Sequence, residues 1–66
     1  MMSNYERKML NGIQTRIAYL MLEKGYSPYD ISVLLDDFIY DNDFSNECNQ
    51  KLWRIQEKYI KLYRGD

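Results

Sequence analysis

Lys24-Gly25-Tyr26-Ser27-Pro28-Tyr29-Asp30 is the stretch that decides the fold of this chain. Glycine enters the left-handed backbone conformation without strain, so Gly25 ends whatever helix runs up to Lys24. Two residues on, Ser27 supplies a capping oxygen and Pro28 takes the first helical position, where a missing N–H leaves no bond unmade. Asp30 then falls three residues after the cap, and Tyr26 and Ile31 stand where a hydrophobic staple would pair them. One helix stops and another starts within about three residues, which predicts a tight antiparallel pair.

Upstream, Ser3-Asn4-Tyr5-Glu6 reads as a capping box, the serine hydroxyl accepting from the Glu6 amide while the glutamate reaches back. Leu10, Ile13, Ile17, Leu20 and Met21 follow on one stripe at helical spacing. Gly12, after Asn11, weakens that helix by about 1 kcal/mol against alanine and predicts a bend or restart. Downstream, Ile31, Leu34, Leu35 and Phe38 form the apolar stripe of the second helix, which fades between Tyr40 and Asn42. The run from Asp41 to Ser45 is a turn, with Asp43 or Ser45 as the next cap. The third helix carries Cys48, Leu52, Ile55, Tyr59, Leu62 and Tyr63 and stops before Gly65. The expected fold is all-α: a compact three-helix bundle in a single small domain over residues 1–66, with helices near 4–24, 28–41 and 45–64.

A chain of 66 residues is near the lower limit for a core that stands alone. It buries only about 60 % of the surface its unfolded form exposes, so association with a partner or a second copy is expected from size. The single cysteine, Cys48, excludes an internal disulfide, and the absence of histidine excludes a Cys/His zinc site. No apolar run approaches the ~18 residues of a membrane span. A lone thiol with no signal-peptide pattern fits a reducing cytoplasm. Abundant Asn, Lys, Ile and Tyr suggest AT-rich coding, as in a low-GC bacterium, its phage or a mobile element.

The net charge of −1 hides segregation. Residues 1–28 carry Arg7, Lys8, Arg16 and Lys24 against Glu6 and Glu23, a net of +2. Residues 29–47 carry Asp30, Asp36, Asp37, Asp41, Asp43 and Glu47 with no base, a net of −6. Residues 48–66 carry Lys51, Arg54, Lys58, Lys61 and Arg64 against Glu57 and Asp66, a net of +3. The simplest consequence is an acidic middle helix attracted to two basic ones.

Catalytic chemistry finds no candidate residues. Asp41, Asp43 and Ser45 begin like a calcium loop, but Asn46 stands where glycine is needed and Leu52 where the bidentate glutamate belongs. Asp36 and Asp37 are adjacent and point about 100° apart on a helix, a poor acid–base pair. Without a glycine-rich loop or a histidine, neither phosphate cradling nor His-assisted nucleophilic attack is available. Cys48 near a helix start could favour the thiolate, but its place on the apolar stripe points to a buried, inert thiol. The expectation is a non-enzyme with no metal and no cofactor.

What remains is surface. Opposite its core stripe the second helix carries Tyr29, Val33 and Tyr40, flanked by Asp36 and Asp37, while Trp53 and Ile60 lie on a shoulder of the third. These are expected to form a protein-binding face for a partner with a basic surface or for a homodimer. The alternative is a central helix buried on both sides, which makes the same residues second-layer core. Lys51, Arg54, Lys58 and Lys61 recur at i, i+3, i+7 and i+10, a basic stripe suited to a phosphate backbone or to solvation.

Residues 20–35 resemble the opening of helix-turn-helix domains, where a glycine turn precedes a short second helix; the acidic run after them departs from that pattern. The same region resembles the small helical-hairpin phosphatases of response regulators, but Ser32-Val33-Leu34-Leu35-Asp36 lacks the polar residues of their motif. The leading expectation is a small helical module that regulates or inhibits another protein by binding it. The alternative is a helix-turn-helix-like DNA-binding regulator using the basic stripe. Ser27→Ala removes the capping oxygen and is expected to cost about 0.5–2 kcal/mol in chemical denaturation.

Overall fold

The computed structural model describes residues 1–65; Asp66, counted above in the charge of the last segment, lies outside the described residues. Three helices follow one another: α1 (Asn4–Glu23), α2 (Pro28–Asp41) and α3 (Asn46–Arg64). Each begins on a serine. Ser3 and Ser27 both form complete capping boxes, with Glu6 and Asp30 returning a carboxylate to the serine amide. Ser45, one of two residues expected to cap α3, accepts from the Cys48 amide at 3.3 Å. Gly25 closes α1 with φ 73°, and the Tyr26 amide donates back to the Leu20 carbonyl at 3.1 Å. The expected break at Gly12 is absent: α1 is one unbroken helix. Tertiary burial of Ile13 and Ile17, which follow it in the same helix, outweighs the local cost of glycine.

The core consists of Ile13 and Ile17 from α1, Ile31 and Leu35 from α2, and Cys48, Leu52 and Tyr59 from α3. Met9, Leu10, Leu20, Met21, Phe38 and Ile55 are partly buried around it. The close pair of the bundle is α2 with α3, whereas α1 makes few contacts with either. This corrects the expected tight pairing of the first two helices. The turn at Gly25 reverses the chain as expected, but a short turn sets where α2 begins, not how closely it packs. Gln56 reaches the Ser32 carbonyl at 3.0 Å and Tyr63 stacks on Tyr29, so α2 and α3 run antiparallel.

This pairing turns α2 by about 50° about its own axis from the orientation its apolar stripe suggests. Ser32 becomes buried, and its hydroxyl donates to the Tyr29 carbonyl at 2.7 Å. Leu34, expected in the core, is 41 % exposed. Leu62 and Tyr63 are likewise exposed rather than core. The antiparallel register sets the last turn of α3 level with the first turn of α2, where Tyr63 lies against Tyr29 at the surface. The charge segregation yields no bridge between helices. Among the described residues the one ion pair is Lys61–Glu57, 3.4 Å apart within α3.

These positions separate under mutation. Leu35→Ala is expected to cost about 2–5 kcal/mol, as truncation in a packed core does, and Leu34→Ala well under half of that. Urea denaturation of the two variants side by side measures the difference.

Candidate functional site

The outer face of α2 stands clear of the core. Tyr29 and Val33 are exposed and Tyr40 is 88 % exposed, so the account that made them a second core layer does not hold. Asp36 and Asp37 are exposed beside them. On α3, Trp53 is 48 % exposed and Ile60 is half-buried. Trp53, Gln56, Ile60 and Tyr63 share one side of α3 at i, i+3, i+7 and i+10. Two of the four reach α2. The Gln56 amide donates to Asp36 Oδ1 at 3.4 Å as well as to the Ser32 carbonyl. The Tyr63 and Tyr29 rings lie 5.0 Å apart, tilted by 48°. The two halves of the expected face thus form one surface across the α2–α3 seam, with Tyr63 as a member that sequence reasoning assigned to the core.

That surface is apolar and aromatic with an acidic fringe. It offers contact chemistry: rigid rings with little rotamer freedom to lose, beside carboxylates that attract cations. The basic stripe occupies a different side of α3. Lys51, Arg54, Lys58 and Lys61 are all exposed, with Lys58 lying 5.7 Å from the centre of the Tyr59 ring and Lys61 paired to Glu57.

The titratable group held most tightly is one that no surface reading singled out. Glu6 is 7 % exposed, and its carboxylate accepts from the Ser3 amide at 2.9 Å, the Ser45 amide at 2.7 Å and the Ser45 hydroxyl at 3.1 Å. The capping box announced the first of these bonds. The other two span 39 residues and have no local signal. The Ser3 and Ser45 amides favour the charged form and hold the Glu6 pKa below the ordinary glutamate value. Cys48 sits next to this junction, fully buried; burial first, then the charge of Glu6, pushes its thiol pKa up. It is a buried core thiol, as its place on the stripe suggested. Among the described residues no three histidine, cysteine or acidic side chains converge as a metal site would require.

Compared with protein-family models, with curated proteins and with solved structures, the chain matches none.

The Glu6 junction predicts a pH dependence. A carboxylate whose pKa is lower folded than unfolded contributes stability above its unfolded value, and loses it as the pH falls through the folded one. Melting temperature is therefore expected to drop on acidification below the usual carboxylate range. Glu6→Gln is expected to melt lower than the parent at neutral pH, with the gap narrowing as the pH falls; a constant gap would assign Glu6 a purely steric role.

Proposed function

We propose that this chain is a small protein-interaction module, a regulator or inhibitor that acts by binding another protein through the α2–α3 face. The observation that carries this reading is the exposure, on one surface, of Tyr29, Val33, Tyr40 and Trp53, with Asp36 and Asp37 at its edge. A chain of 8.1 kDa has little apolar surface to spare, and so many large side chains left in water are a cost that a partner relieves. Tyrosine and tryptophan are the residues that most often dominate binding energy when truncated. The aspartates select a partner with a basic surface and speed its approach. No catalytic step is assigned to this face; it is a binding surface.

A second reading keeps one specific observation in its favour. Lys51, Arg54 and Lys58 lie on one exposed face of α3 with no acidic side chain within 4.0 Å among the described residues. A helix-turn-helix-like DNA-binding regulator would use such a row.

The two readings part on titration. A partner recovered from host extract by crosslinking at Tyr40 is expected to carry a basic contact surface. Its affinity is expected to fall at least tenfold, about 1.4 kcal/mol, for Tyr40→Ala combined with Trp53→Ala, while the melting temperature stays within a few degrees. Affinity unchanged by that pair of substitutions would reject the face. Binding to duplex DNA that weakens with log salt at a slope near −3.6, about 0.9 for each of Lys51, Arg54, Lys58 and Lys61, would favour the second reading.

A further inference from the structure

On the other side of α2 the light packing of α1 leaves an open groove of about 1010 Å³. Its walls are apolar: Met9, Ile17 and Leu20 from α1 face Ile31, Leu34 and Phe38 from α2. The whole chain exposes 5020 Å², against about 4,500 Å² for a compact monomer of its mass. The excess is of the order that a stable interface removes from each partner, roughly 800 Å². We propose that the groove seats a second copy of this chain, with α1 of each protomer lying over α2 of the other about a two-fold axis.

Charge chooses this occupant. The rim on the α1 side carries Lys8 and Arg16, which line the groove. Lys24, the C-cap of α1 beyond the groove, holds its ammonium 5.9 Å from the centre of the Tyr19 ring. The edge of α2 just beyond Leu34 carries Asp30, Asp37 and Asp41, all exposed. None of these six is in an ion pair among the described residues. One rim is basic and the other acidic, so a two-fold rotation that exchanges α1 and α2 sets each against its opposite. A foreign helix would need both signs at matching spacing; this chain presents them by symmetry.

The spacing also fits. Counted from the turn, Arg16 lies seven residues back from the end of α1 and Asp37 nine residues beyond the start of α2. Lys8 lies fifteen back and Asp41 thirteen beyond. Each pair is level to about 3 Å along the helix. Lys24 and Asp30 meet at the turn end, where Glu23 is the one opposing charge. Gly12 supplies an independent sign. It lines the same wall, a Cβ there would meet nothing within 4 Å, and its φ is not positive. Nothing inside the protomer calls for glycine in mid-helix, whereas a second backbone approaching that wall does. The groove and the aromatic α2–α3 face meet at Asp37, so substitutions at Arg16 and Gly12 test the one and at Tyr40 and Trp53 the other.

Sedimentation equilibrium on the full chain tests the proposal. The parent is expected to dimerise reversibly. Arg16→Asp alone and Asp37→Arg alone each set like charges together twice, and each is expected to raise the dimer dissociation constant at least tenfold. Mixed in equal amounts, they are expected to recover a heterodimer, because every pair in it is again opposite in sign. Gly12→Gln is expected to remain helical by circular dichroism, to melt no lower than the parent monomer, and to lose the dimer. The Tyr40→Ala, Trp53→Ala variant is expected to dimerise as the parent does. A parent that stays monomeric into the millimolar range overturns the proposal. So does a pair of single charge variants whose mixture associates no better than either alone.

Discussion

The carboxylate of Glu6 is the point on which the arrangement of the three helices turns. It belongs to the first turn of α1, where it completes a capping box, and it also receives the amide and hydroxyl of the residue that caps α3. A carboxylate has about four lone-pair sites, and here three donors from two helix starts converge on it. Both helices present unpaired amides and a partial positive charge at these ends, so one anion serves two dipoles at once. Ser45 in turn donates to Glu6 while accepting from Cys48, which ties the junction to the buried centre of α3. Charge-assisted bonds of this kind are the strong ones, and two of them join parts of the chain 39 residues apart.

The groove and the loose fit of α1 follow from that anchoring. α1 is held at its start by Glu6 and at its end by the Gly25 turn, and between them Ile13 and Ile17 alone reach full burial. Its middle has no ion pair and no side-chain hydrogen bond to α2 among the described residues. α2 instead presses against α3, where Gln56 bridges two residues of α2 and the Tyr29–Tyr63 pair extends the contact. The molecule thus has a tight half and an open half. Charge was left unspent in the same way: acidic α2 and its basic neighbours do not touch through their ions, so both signs remain on the surface for contacts between molecules.

The expected site was legible where it depended on one helix and illegible where it depended on two. Tyr29, Val33 and Tyr40 lie opposite the apolar stripe of α2 by simple rotation, and a rotation of about 50° still leaves them outside. Leu34 sits at the margin of that stripe, and the same rotation moves it from core to groove. Tyr63 joined the aromatic face because the register of α3 on α2 sets its ring beside that of Tyr29, a match that exists only once the two helices are laid side by side. Glu6 as a bridge was invisible, because its capping role already accounted for it fully within four residues.

By itself the sequence determined three helices and their ends. Serine caps, a proline at the first helical position and left-handed glycines act through bonds that close within a few residues, so no knowledge of the fold is needed to read them. It also determined that Cys48 is buried, whereas the bend or restart it suggested at Gly12 did not form. The tertiary structure alone decided which helices would be close neighbours, which part of each apolar arc they would cover, and what would remain open. An apolar arc wider than 100° can be satisfied by a neighbour on either flank, and the choice rests on bonds such as Glu6–Ser45 and Gln56–Ser32 between residues far apart in the chain. Those bonds exist only after the helices have met.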